Sequence, residues 1–321
     1  GSGADNQGGS LIAYSPANNA LDVPLNTVIS SEFNERIDPT SLSSKSYRLH
    51  NQTTGRDVSG QLSLSQDGLR VTFTPDELEP GHRYYIYISY GTALKDLVGN
   101  NIGWYNSYYF TTSGTLDNTD PEVSVSNISE GLTGVPVNAP IKLRFSEELS
   151  LQCVNADSVN LSDGSGDVAF NVNLSNDRLE LTITPTEHLN ANTGYTLTLD
   201  GLCDLSGNSL ATYQLNFTSH AEGLTDTSYP RVTGMSPSNS SVDVDINSQI
   251  VLTFDEDIDP VSAAGKVRIF KNGQSGDIAG HYQVDGNVLT FTPENPLPGG
   301  SRIEVQARYV QDLVGNASCC W

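Results

Sequence analysis

The pentapeptide Asp-Leu-Val-Gly-Asn stands at residues 96–100 and again at 312–316, with Asp-Leu-Ser-Gly-Asn at 204–208 between them. The three aspartates, Asp96, Asp204 and Asp312, are spaced evenly, 108 residues apart. Two more anchors keep the same order: Phe33, Phe145 and Phe254 each close an apolar stretch and run into acidic residues, and Phe73-Thr-Pro75, Ile183-Thr-Pro185 and Phe291-Thr-Pro293 follow. An interval this long is too large for a solenoid repeat and suits one autonomous domain. The 321 residues therefore divide into a leader (1–10) left outside the fold and three domains, 11–116, 117–221 and 222–321.

Within each copy the pattern is that of strands. In the third, Ile250–Phe254, Lys266–Phe270, Val288–Thr292 and Ile303–Ala307 alternate apolar and polar residues between turn signals, the period of a half-buried strand. Asn272-Gly273 predicts a hairpin turn of type I′, and Asp67-Gly68 and Asp285-Gly286 mark a second turn. Roughly seven short strands per copy and no helical period predict an all-β fold of three tandem Greek-key sandwiches. Six residues after Leu78 and Leu189 come Tyr84 and Tyr195, placed like the tyrosine that pins the corner before strand F. That puts each Asp-Leu-x-Gly-Asn segment in the F–G loop and the acidic stretch after each anchor Phe in the B–C loop, at one pole.

These residues carry a resemblance. "MSPSNSSVDVDINSQIVLTFDEDID", "LTFTPENPLPGGSRIEV" and "QDLVGN" in the third copy, with their counterparts in the other two, resemble bacterial Ig-like domains of the SbsA S-layer type. The resemblance implies an extracellular, non-catalytic protein: a spacer or stalk in a surface protein or adhesin, secreted or lipid-anchored. Its partner would be a surface polysaccharide or protein.

Charge narrows the partners further. Sixteen basic residues against 38 acidic ones leave a net charge of −22, which repels phosphate backbones and excludes nucleic acid as a partner. No apolar run is long enough for a transmembrane helix. The five histidines show no metal-ligand spacing, and neither a nucleophile elbow nor a phosphate-binding loop occurs, so no catalytic residue and no cofactor chemistry is expected.

The acidic pole admits two readings. Gly99, Gly207 and Gly315 can turn left-handed, while the preceding aspartate accepts backbone N–H bonds and Asn100, Asn208 and Asn316 close the turn, which needs no ligand. Alternatively the loops share a structural Ca²⁺, which takes oxygens from several segments. The candidate ligands are Glu35, Asp38 and Asp96 in the first copy and Glu147, Glu148 and Asp204 in the second. The third offers Asp255, Glu256, Asp257, Asp259 and Asp312, and the linkers add Asp117, Asp120 and Asp226.

Three features break the repeat. Cys153 and Cys203 occur only in the second copy, one past its B–C stretch and one before its turn, and are expected to form a disulfide. The third copy reaches Cys319-Cys320-Trp321 where the others begin a last strand, Tyr108–Thr112 and Leu215–Thr218, and so is expected to lack strand G. In the first, Tyr85, Tyr87, Trp104, Tyr105 and Tyr109 fall on one outward face. That face is either a carbohydrate-binding platform, as in an accessory module of a secreted enzyme, or a set of cross-strand pairs that stiffen the sheet.

Overall fold

The computed structural model describes residues 7–103, 106–263 and 265–319. Its first domain contains strands β1 (Leu11–Ser15), β2 (Ala20–Val23), β3 (Ile29–Phe33), β4 (Tyr47–Asn51), β5 (Arg56–Val58), β6 (Gly60–Leu64), β7 (Arg70–Pro75), β8 (Arg83–Ile88) and β9 (Asn106–Thr112). The second contains β10 (Val123–Ser126), β11 (Leu132–Val135), β12 (Ile141–Phe145), β13 (Val159–Ser162), β14 (Phe170–Leu174), β15 (Glu180–Pro185), β16 (Gly194–Leu199) and β17 (Tyr213–Ser219). The third contains β18 (Val232–Ser236), β19 (Ile250–Phe254), β20 (Val267–Lys271), β21 (Gly280–Asp285), β22 (Val288–Pro293) and β23 (Ile303–Ala307). A 3-10 turn, Leu151–Cys153, and one helical turn, Pro260–Ala263, follow the B–C stretches of the second and third domains.

Each domain stacks two sheets. In the first, β1-β3-β7-β6 faces β2-β9-β8-β4-β5; in the second, β10-β12-β15-β14 faces β11-β17-β16-β13. Alternation explains the packing: Tyr84, Ile86 and Ile88 of β8 are buried, whereas Tyr85 and Tyr87 point away. The third domain repeats the first sheet as β18-β19-β22-β21, but its second sheet holds only β20 and β23 among the described residues. Cys320 and Trp321 lie outside those residues.

The corner tyrosines behave as their position predicts. The hydroxyl of Tyr84 accepts the Glu79 N–H at 2.7 Å, and that of Tyr195 accepts the Asn190 N–H at 2.8 Å. Tyr84→Phe or Tyr195→Phe is expected to cost about 1 kcal/mol, the worth of one such bond. Urea unfolding measures it, and a midpoint identical to wild type would remove the role assigned to the hydroxyl. One turn expectation is corrected. Of Asn272-Gly273, only the glycine has a positive φ, 80°, so this is no type I′ turn, which needs both central residues left-handed.

Candidate metal centres at the domain junctions

In all three F–G loops the aspartate is buried and both of its oxygens are engaged. Asp204 Oδ1 accepts the N–H groups of Ser206 and Asn208, both at 2.8 Å, and Oδ2 accepts the Asn208 side-chain amide at 2.8 Å. Asp96 and Asp312 make the equivalent bonds to Val98 and Asn100 and to Val314, Gly315 and Asn316. Gly99, Gly207 and Gly315 reverse the chain at φ of 95°, 88° and 106°. Backbone bridges Ile37–Asp96, Leu149–Asp204 and Ile258–Asp312 then lay the B–C stretch against the turn, which fixes the two loops at one pole.

A third segment joins them. The linker into each later domain is clamped by an asparagine of the domain before it: Asn26 donates to Asp117 O at 2.8 Å and accepts its N–H at 3.0 Å, and Asn138 treats Asp226 likewise, at 2.9 Å both ways. Two carboxylate clusters result, Asp117 with Glu147 and Asp204, and Asp226 with Glu256 and Asp312, the ligand oxygens in each lying within 4.8 Å of one another. Oxygens bound to one Ca²⁺ at about 2.4 Å can be no farther apart than roughly twice that, so both sets fit a shared ion.

The electrostatics show strain in these clusters. Burial, then hydrogen bonding and repulsion from Asp117 and repulsion from Asp204, push the Glu147 carboxyl up to about 8. Burial and Asp226, with Asp312 and Asp255, push Glu256 up to about 7. Burial also favours the neutral form of Asp117 and Asp226, but bonds from the hydroxyl and amide of Thr119 and Ser228 outweigh it and hold both below the usual carboxylate range. The crowding of carboxylates thus favours the protonated form of Glu147 and Glu256, and a divalent cation would relieve the same repulsion.

The same poles make the domain contacts. Leu205, in the second domain's turn, is 5% exposed and packs into the core of the first, where Val28 donates its N–H to Leu205 O at 2.7 Å. Leu313 is 7% exposed, and Val314 beside it packs against the second domain's core. There the residue before the strand is Pro140, which has no N–H to give, and the side chain of Asn127 bonds Leu313 O instead, at 3.1 Å. In the first domain Leu97 and Val98 are 57% and 64% exposed.

A model of the bacterial Ig-like domain matches residues 5–112, 117–219 and 226–319. The chain belongs to this family. No curated protein sequence matches it. Among solved structures, CopC from Methylosinus trichosporium OB3b aligns over 35% of this chain and 99% of its own, at 16% identity and TM-score 0.27. The S-layer protein rSbsC(31-844) aligns over 97% of this chain and 58% of its own, at 11% identity and TM-score 0.27. Titin domains A168–A170 align over 97% and 95%, at 10% identity and TM-score 0.25.

The three Ig-like matches begin at Asp5, Asp117 and Asp226. Asp5 lies outside the described residues. Asn26 and Asn138 were missed; their recurrence three residues before each strand β3 and β12 is the signal.

The other candidate ligands have separate partners. Asp38 accepts the amide and hydroxyl of Thr40, Asp120 is exposed, and Asp255 accepts the Arg231 N–H at 2.7 Å. Glu148, raised by burial, faces the first Ig-like domain at the Ala17 N–H, 3.5 Å away. Asp257 lies against Gly286. Asp259 is fully buried, caps the helical turn through Val261 N–H and bonds Lys142 of the second Ig-like domain at 2.9 Å.

Cys153 and Cys203 form a disulfide, with Cα atoms 5.5 Å apart and 50 residues of separation. It joins the 3-10 turn to the base of the F–G turn. That turn docks on the first Ig-like domain: Leu151 N–H meets Ser15 Oγ at 3.3 Å, and Arg70 bonds Gln152 O at 3.2 Å. On the aromatic face, Tyr85 stacks with Tyr87 and with Tyr109, at 5.8 and 5.0 Å, while Arg48 and Arg83 lie over Tyr87 and Tyr109. Ring faces are thus used within the sheet, as stiffening pairs use them; Trp104 and Tyr105 lie outside the described residues.

Proposed function

We propose that the chain is a non-catalytic spacer at a bacterial cell surface whose inter-domain joints are fixed by Ca²⁺. One observation carries this reading: each joint gathers one carboxylate from the linker, one from the B–C loop and one from the F–G turn onto a single point. A cation there ties three chain segments together and removes the repulsion that raises Glu147 and Glu256. The family membership and the net charge of −22 support a surface setting, and among the described residues no helix is long and apolar enough to cross a membrane.

Calorimetry tests it. Ca²⁺ at about a hundred times its dissociation constant adds roughly 2.7 kcal/mol per site, a rise on the order of 10 °C for a domain of this size. Glu147→Gln with Glu256→Gln should abolish the rise. The pH dependence has a definite sign. Glu147 keeps its proton up to about 8 in the folded chain against 4.5 as its ordinary value, so unfolding releases a proton between those limits, and the joint in EDTA loses stability as pH rises from 5 to 8. Ca²⁺ displaces that proton and reverses the trend. Equal melting with Ca²⁺ and EDTA at pH 8, and equal maximum dimensions by small-angle scattering, would remove the calcium reading and leave the spacer fold intact.

A further inference from the structure

The outward face of the first domain's second sheet has a composition that the later domains do not repeat. Four tyrosines run across it: Tyr109 of β9 stacks with Tyr85 of β8, Tyr85 with Tyr87, and Tyr87 lies against Tyr90, at centroid distances of 5.0, 5.8 and 5.1 Å. An arginine closes each end of this strip, Arg83 over Tyr109 at 5.1 Å and Arg48 over Tyr87 and Tyr90 at 5.0 Å. The second domain places Thr196, Thr198 and Asn216 at the positions of Tyr85, Tyr87 and Tyr109. The third places Glu304 and Gln306 at those of Tyr85 and Tyr87.

The two arginines differ in their partners. Arg48 is held by Asp57 at 3.0 Å, and His50 shares that carboxylate at 2.7 Å. Arg83 pairs with no carboxylate among the described residues. Its equivalent in the third domain, Arg302, faces Glu304 at 3.7 Å, and the second domain has Gly194 there. Arg83 instead borders an open cleft of about 400 Å³, with Gln52, Thr53, Gly81 and Thr111. A guanidinium grips a carboxylate through two parallel bonds, and the amide and hydroxyl groups around it suit a ligand rich in hydroxyls. Tyrosine presents an apolar body and a polar tip to the same kind of ligand. The side-chain anchor of a protein partner asks for a desolvated apolar pocket, which this open, polar cleft does not provide.

We propose that this face binds an acidic polysaccharide. The ligand is a uronate chain with one carboxylate on Arg83 and its sugar rings along the tyrosine strip toward Arg48. The cross-strand stacking that stiffens the sheet also serves binding, because rings and guanidinium groups already held by their neighbours lose little freedom when a ligand arrives. The spacer thereby gains a ligand-holding first domain, through residues that the calcium joints do not use.

Calorimetric titration of the full chain with hexagalacturonate tests it, in EDTA so that no calcium bridges the two. Expected is one hexamer bound per chain, with binding weaker by about tenfold or more for the same hexamer with its carboxyls methyl-esterified and for hexaglutamate. Arg83→Gln, at an exposed side chain without an ion pair, should weaken binding by about tenfold and leave the melting curve unchanged. Arg83→Lys keeps the charge without the paired donors and should recover only part of the affinity. Tyr85→Ser with Tyr109→Ser should abolish binding, and Glu147→Gln should leave it unchanged. No binding at millimolar hexagalacturonate, or equal binding by the methyl ester or by the Arg83→Gln chain, would overturn the proposal. So would tighter binding of hexaglutamate, which would give the face to an acidic protein segment.

Discussion

Leu205→Asp is expected to separate the first two domains and to destabilise both. Removing a buried leucine costs about 2–5 kcal/mol, and the aspartate adds the penalty of a charge with no partner in an apolar socket. Leu205 lies within the first domain's core cluster, so the loss falls on the neighbour as well as on its own turn. Leu313→Asp should do the same at the second joint. The repeat supplies its own control: Leu97 is chemically identical and occupies the same turn but is 57% exposed, so Leu97→Asp should fall within about 0.5 kcal/mol of wild type. Calorimetry separates the outcomes, because uncoupled domains melt in distinct transitions and small-angle scattering then reports a flexible chain. Leu205→Asp and Leu97→Asp chains with superimposable melting curves would show that this leucine serves the turn alone.

The difference between those leucines marks how far the sequence could be read. Inside a domain, alternation reports which side chain meets the core, so the sandwich, the corner tyrosines and the shared pole were all legible: each follows from spacing along one strand or between two anchors. Contacts between domains have no period. Leu205 and Leu97 stand in the same motif, and what sets them apart is the surface of another domain that Leu205 meets. Yet a hint was there. The second position of the motif is leucine in all three copies while the third varies, and a tight turn alone does not ask for an apolar residue.

Arg178 shows the same limit from the other side. The turn before β7 and β22 uses Gly68 and Gly286 at positive φ, and the second domain places Arg178 there, at φ 63°. A non-glycine residue in that conformation costs about 1–3 kcal/mol. Its guanidinium is buried and lies over Tyr14 of the first domain, 5.5 Å from the ring centre. The local rule yields to an inter-domain contact. Of the acidic candidates, charge alone could not separate ligands from neighbours; in the bend after β12, Glu147 meets the linker residue Asp117 while Glu148 meets Ala17 of the first domain.

The disulfide carries the second large effect because of where it sits. Cys153→Ser with Cys203→Ser opens a loop of 50 residues, worth about 4 kcal/mol in the chain-entropy account, or on the order of 20 °C for a domain of about 100 residues. The first and third domains have no such bridge among the described residues, so the second domain's transition should fall most. The bridge also links the 3-10 turn, docked through Leu151 and Gln152 on the first domain, to Cys203, the residue before Asp204. Its loss should therefore loosen the first joint as well, weakening Ca²⁺ binding at Asp117, Glu147 and Asp204 while leaving Asp226, Glu256 and Asp312 unchanged. Titration of the two joints in the serine variant, using Glu256→Gln and Glu147→Gln to isolate each, reads this directly. Equal weakening at both joints would mean that the bridge acts through global stability, and an unchanged first joint would mean that it holds only the second domain's own fold.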